Sequence, residues 1–224
     1  MVRAGARAVP RHASVALAAR ELQREAREVG CRRFDEPWKG RTVQRRCGHT
    51  NCCASVMETN QLPSYDRTDN PTGCCPRFEP AGWDDRQLHF ENKPFVRAST
   101  ISLLHVPLNM GSVFQKTFDA IQKADAEGAS FVVLSHDTSA WHGEHLFAVS
   151  HDVPGADMVH LSGDFITKVF DGPFSEARAW CDQLRSSAHA KGKRPGELYF
   201  FYTTCPRCAK TYGHNYVVGF AKVS

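Results

Sequence analysis

Apolar positions along residues 93–224 alternate between two periods, and the switches mark the elements. "FVRASTISLLHVP" (95–107) carries the β-branched and apolar content of a strand. Asn109 and Ser112 then stand as candidate N-caps before Met110, Val113, Phe114, Phe118 and Ile121, whose helical spacing runs until Gly128. "SFVVLSHD" (130–137) and "EHLFAVSHDV" (144–153) read as two strands joined by a turn, and "MVHLSGDFITKVF" (158–170) as another. A second helix follows "DGPF": Ser175 caps it, Ala177, Trp180, Cys181, Leu184 and Ala188 form its buried stripe, and Gly192 stops it. "ELYFFYTT" (197–204) and "NYVVGFAKV" (215–223) close the chain as a hairpin around Cys205-Pro-Arg-Cys208.

The order is strand–helix–strand–strand, twice. It predicts an α+β fold of two βαββ repeats, an antiparallel sheet with one amphipathic helix from each repeat covering a face. Upstream, "LPSYDRTDNPTGCCPRFEPAGWD" is dense in turn formers, so residues 57–92 are expected to be an arm without helix. Residues 1–56 read differently again. They hold 11 Arg and one Lys against five acids, and they show no clear period after a short charged helix pattern. A transit peptide, a basic arm for nucleic acid and sequence upstream of a natural start at Met57 are the readings open for them, the last being favoured.

Composition narrows the function. The chain has 224 residues and 42% hydrophobic content, enough for a sizeable core. No apolar run approaches the ~20 residues that span a bilayer, so a membrane role is not expected. The +4 formal charge comes from the first 56 residues; the rest holds 16 basic and 19 acidic side chains, which argues against nucleic acid binding by the body. Nine cysteines, an odd count with two adjacent pairs, do not suit a secreted disulfide framework and point to a reducing cytoplasm.

Cys205 and Cys208 have three readings. Only five residues separate Cys208 from His214, which leaves no room for the long helix that activates a redox dithiol. A zinc site needs two more ligands, and Cys74 and Cys75 supply them if the arm folds over the hairpin, with His214 as a substitute fourth ligand. Packed reduced thiols are the third reading. In "SAWHGEH", Glu144 beside His145 offers a carboxylate and an imidazole for acid–base hydrolysis, and Trp141 a stacking surface. His105, at the end of a strand, is a further candidate base. Lys168, Phe174, Tyr199 and Tyr216 are candidate walls of a ligand cleft. Motifs of serine hydrolases, zincins and phosphate loops are absent.

"LSGDFITKVFDGPFSEARAWCDQL" resembles the second half of GyrI-like domains, with Gly172, Pro173, Phe174, Trp180 and Leu184 at the corresponding places, over about residues 93–224. "NPTGCCPRF", "VPLNMGSVF", "LSGDFITKVFDGPF" and "YFFYTTCPRCAKTYG" are similar to a bacterial family, some of whose members carry the label hydrolase, from Leu62 to the end. The GyrI-like resemblance implies a cleft between the repeats that takes small, often aromatic or cationic molecules. Within that fold some members only bind their ligands, and others hydrolyse reactive ring compounds. The final strand of drug-binding relatives tends to supply an acid, and here it reads Gly213-His214-Asn215-Tyr216. Two classes therefore stay open: a small hydrolase acting through Glu144 with His105 or His145, and a non-catalytic binding or sequestering module.

Overall fold

The computed structural model describes residues 58–224 apart from 104, 105 and 140. The expectations for residues 1–56 and for His105 lie outside the described residues. Among the described residues seven strands and three α-helices follow in the order β1 (Gln87–Leu103), β2 (Val106–Pro107), α1 (Met110–Lys123), β3 (Val133–Ser139), β4 (His142–Ala148), β5 (Met158–Asp171), α2 (Ala177–Ala190), β6 (Pro195–Tyr202), α3 (Pro206–Tyr212) and β7 (Tyr216–Val223).

Every named pairing is antiparallel. The sheet runs β1-β4-β3-β6-β7-β5, β5 pairs back onto β1, and the six strands close into a barrel; β2 is a short flap on the end of β1. Closure depends on the length of β1. Its first half, Gln87 to Val96, pairs with β5, and its second half, Phe95 to Ile101, pairs with β4. A register shift between Phe90 and Lys93 bends it, with Asn92 in the left-handed region at φ 52°. The seam between β3 and β6 is slight, formed at Ser135–Phe200.

Strand residues alternate between the two faces. One set fills the interior: Phe90 and Phe95 from β1, Leu134, Leu146, Phe165, Tyr199, Phe201, Val218 and Phe220. The other set faces the helices. Helix α2 lays its stripe of Ala177, Trp180, Cys181, Leu184 and Ala188 on Ile166, Phe170, Leu198, Phe200 and Val217, with Trp180 stacked on Phe170 at 5.5 Å. Gly219 lies under this contact: a Cβ there would stand 2.8 Å from Leu184 Cδ2, so the helix approaches the strand at a distance that only glycine allows. Helix α1 covers Val96, Ala98, Val133 and Phe147 with Val113, Phe114 and Phe118.

The arm is ordered by the barrel it closes. Tyr65, Phe78 and Trp83 pack together and onto Phe201, with centroids 5.3–6.2 Å apart, and Trp83 is wholly buried. Tyr65 Oη donates to Phe131 O at 3.1 Å, and Thr167 Oγ1 donates to Trp83 O. These rings plug the end where β4 and β6 finish.

Three expectations are corrected. The Cys205–Cys208 stretch is not a hairpin tip: it opens α3, a third helix, with Pro206 at its first position and Gly213 ending it at φ 77°. Asn109 occupies the N-cap of α1, yet its side chain accepts from Ile101 N–H instead of from the helix. Ser175 does not cap α2, because a turn of 3₁₀ helix, Phe174–Glu176, precedes it. In addition, β1 begins at Gln87, so the last part of the 57–92 span is strand.

Candidate functional site

The plugged end leaves the opposite end of the barrel, where β1 and β3 finish and β4 and β6 begin. There the interior row changes from apolar to polar. Register places Ser99 opposite Glu144 across β1–β4, and Glu144 opposite His136 across β3–β4. Ser135 opposite Phe200 then sets His136 beside Tyr199, their ring centroids 5.4 Å apart. Arg97 reaches this row from β1. Its guanidinium donates to both carboxylate oxygens of Asp157 at 2.8 and 3.1 Å, and to Glu144 Oε1 at 3.4 Å. Arg97 holds the Asp157 carboxyl below the usual range. Tyr199 Oη donates to Glu197 Oε2 at 3.1 Å. Burial first, then the charges of Glu197 and Glu144, push the Tyr199 phenol well above 10. Lys222 follows Phe220 on the interior face of β7, across from Phe165, so three carboxylates, one guanidinium and one ammonium stand at this mouth.

Of the sequence candidates, Glu144 and Tyr199 are brought together here. His145 is not: neighbours on a strand face opposite ways. Its ring turns toward α1, packed edge-on to Phe114 at 5.0 Å, and it is 5% exposed. Ser135 Oγ lies 2.9 Å from Nδ1 and Thr100 Oγ1 3.1 Å from Nε2, and burial lowers its pKa to about 4. Such a ring is a neutral core histidine with both nitrogens engaged. Lys168 shares the parity of Ile166 and Phe170, on the helix side of the wall. Phe174 is core beneath α2, edge-on to Tyr202 at 5.6 Å. Trp141 is half exposed at the β3–β4 turn. Tyr216 sits at the plugged end, stacked on His214 at 5.1 Å, beside a cavity of about 340 Å³ lined by Arg77, Phe78, Thr204 and Tyr212. Sequence reasoning missed His136. The period-2 pattern of "SFVVLSHD" puts it on the interior face with Leu134, but only the register shows what it faces.

At the plugged end Cys74, Cys75, Cys205 and Cys208 converge, their sulfurs all within 4.8 Å of one another. Cys74 Sγ lies 3.8 Å from Cys75 Sγ and 3.9 Å from Cys205 Sγ. The local chain makes this possible. Cys205 is the N-cap of α3 and its sulfur accepts from Cys208 N–H at 3.5 Å, while Cys75 Sγ accepts from Cys205 N–H at 3.4 Å. Tyr212, one turn on, donates to Cys75 O at 2.6 Å and bonds Thr72, whose hydroxyl lies 3.3 Å from Cys208 Sγ. Hydrogen bonds from Cys74 and Cys75 pull the Cys205 thiol well below its ordinary value, while the bond to Cys205 pushes Cys74 up. The four residues could hold a metal ion. His214 takes no part, being bonded to Asp171 Oδ2 at 2.7 Å.

The profile of a family described as "Bacterial hydrolase" matches residues 65–223. No curated protein matches the chain. Among solved structures, that of SAV2435 bound to tetraphenylphosphonium is 8% identical over 63% of this chain and 94% of that chain, with a TM-score of 0.40. A likeness this slight carries no argument. Among the described residues no helix is long and apolar enough to cross a membrane.

Proposed function

Because this chain belongs to the bacterial hydrolase family, we propose that it hydrolyses small neutral or cationic electrophiles at the polar mouth of its barrel, with Glu144 as the carboxylate on which the chemistry turns. The observation that carries this is the polar row itself. Glu144, Tyr199 and Arg97 stand on rigid strands rather than loops, which fixes a substrate against them. Three carboxylates against two cations, Arg97 and Lys222, leave the mouth weakly acidic, which disfavours an anionic substrate. The two halves of the sheet pair alike, β1-β4-β3 and β5-β7-β6, which supports reading the fold as a duplicated GyrI-like unit, with the mouth between its halves.

The cysteine centre belongs to the scaffold in this reading, and zinc is its ion. Zn–S bonds of about 2.3 Å put the sulfurs of a tetrahedral site about 3.8 Å apart, against separations of 3.8 and 3.9 Å here. A redox role has less support: Cys205 is 1% exposed and Cys208 wholly buried, so neither thiol of the C-x-x-C pair is presented to a partner.

The test is a panel of small epoxides and activated esters assayed for product release. Wild type is expected to turn over at least one class, and Glu144→Gln to lose about 10²-fold or more in kcat/KM, the usual worth of acid–base catalysis. Binding without turnover across the panel would leave the sequestering alternative instead.

A further inference from the structure

We propose that His136 is the proton acceptor of the mouth, taking the proton of an attacking water at Nε2 while Glu144, directly opposite on β4, stabilises the imidazolium that forms. This rests on the hydrolytic reading above and assigns the proton within it.

Three observations support the assignment. The first is the tautomer. His136 Nδ1 lies 2.9 Å from the carbonyl oxygen of Leu198. A carbonyl only accepts, so Nδ1 carries the hydrogen and Nε2 of the neutral ring holds the free lone pair. A backbone carbonyl on a neighbouring strand thus fixes both the ring and its basic nitrogen. The second is the partner. Residues directly opposed on one face of an antiparallel pair have Cβ atoms about 4.5–5.5 Å apart, and His136 and Glu144 are so opposed. Glu144 is steadied from its other side by Arg97. The third is the contrast with His145, nine residues away and on the opposite face, whose nitrogens are both held by hydroxyls. The groups facing His136 are Glu144 on β4, with Arg97 behind it on β1, and Tyr199 with Glu197 on β6.

The step balances with water as the only co-reactant. The water oxygen forms a bond to the electrophilic carbon as its proton passes to Nε2. The bond from that carbon to the leaving heteroatom breaks with its electron pair on the heteroatom. The imidazolium then returns the proton to that heteroatom, and His136 is neutral again.

His136→Asn is the informative variant, since its side-chain amide still donates to Leu198 O but lacks a base. Imidazole nitrogen NMR on the full chain should show His136 as the Nδ1–H tautomer in wild type and in Glu144→Gln alike; hydrogen on Nε2 instead overturns the assignment whatever the turnover. With styrene oxide as probe, kcat/KM should fall about 10²-fold in His136→Asn. It should also fall in Glu144→Gln, and the double variant should be no slower than His136→Asn, because Glu144 acts through the imidazolium. Losses that add in the double variant overturn the pairing. Full activity in His136→Asn overturns the role of His136 and leaves the hydrolytic reading standing. No turnover by wild type, with the Nδ1–H tautomer in place, sinks the hydrolytic reading and the catalytic role together.

Discussion

Acidification should unfold this barrel partly through a histidine that takes no part in the mouth. His145 sits between α1 and the sheet, 5% exposed, and burial lowers its pKa from 6.5 to about 4. The unfolded chain takes up this proton near pH 6.5, whereas the folded chain refuses it until about pH 4. The contribution of neutral His145 is therefore fully present above pH 6.5 and is lost as pH falls from 6.5 to 4. With those two values, linkage gives a loss of about 2.5 kcal/mol between pH 7.5 and pH 4.5, a large share of the stability of an ordinary domain. Urea unfolding of wild type and His145→Gln at pH 7.5, 5.5 and 4.5 isolates the effect. Carboxylates titrate in both proteins and cancel in the difference, and any constant cost of the glutamine drops out as well. The stability gap between the two should shrink by about 2.5 kcal/mol over that range, with most of the change below pH 6.5. A gap that stays constant to within about 0.5 kcal/mol would refute the reasoning, because it would mean that the folded ring accepts the proton as readily as the unfolded one.

Two further expectations concern the scaffold. Gly219→Ala puts a methyl group 2.8 Å from Leu184 Cδ2 and 3.0 Å from Phe170 Cε2. It should lower stability by about 1–3 kcal/mol, seen as a lower urea midpoint at unchanged slope; an unmoved midpoint would mean that α2 shifts aside freely. Metal analysis of reduced protein should find about one zinc per chain, and Cys208→Ser should lose it. Tryptic cleavage after Arg67 or Arg77 should then quicken, since metal binding is coupled to the order of the arm; a metal-free wild type with an equally resistant arm would leave packed thiols.

Much of the fold was legible where one element carries its own period. The α2 stripe from Ala177 to Ala188 reads at helical spacing, and every member of it is buried. The end of α3 was visible in Gly213, but its start was not: seven residues give too few turns for a period to register, and the stretch resembles a tight turn until Pro206 is seen to fix the first helical residue. Barrel closure was out of reach because it depends on a bend near Asn92 and on pairings between residues some seventy positions apart. The site divides in the same way. Glu144 could be singled out as a carboxylate just inside a strand, and alternation alone would have separated it from His145. His136 acquires its meaning only from the register with β4 and from a carbonyl on β6. The convergence of Cys74 and Cys75 with Cys205 and Cys208 was readable from chemistry, since two close cysteine pairs, one in a turn-rich arm and one just past a strand, suit a shared tetrahedral site.

That cysteine centre ties residues 74 and 75 to residues 205 and 208, and β7, which follows it, is the strand that joins β5 to β6. Order of synthesis then matters. When Phe78 and Trp83 leave a ribosome they have no wall to rest on, because Phe201, Val218 and Phe220 emerge long after them. The plug, the cysteine centre and the barrel are therefore completed together only once β7 has emerged, and pairing across so long a separation is slow. A nascent chain halted before residue 216 would carry exposed aromatic rings and two unpaired strand edges, those of β5 and β6, and would depend on chaperones to stay apart from its copies.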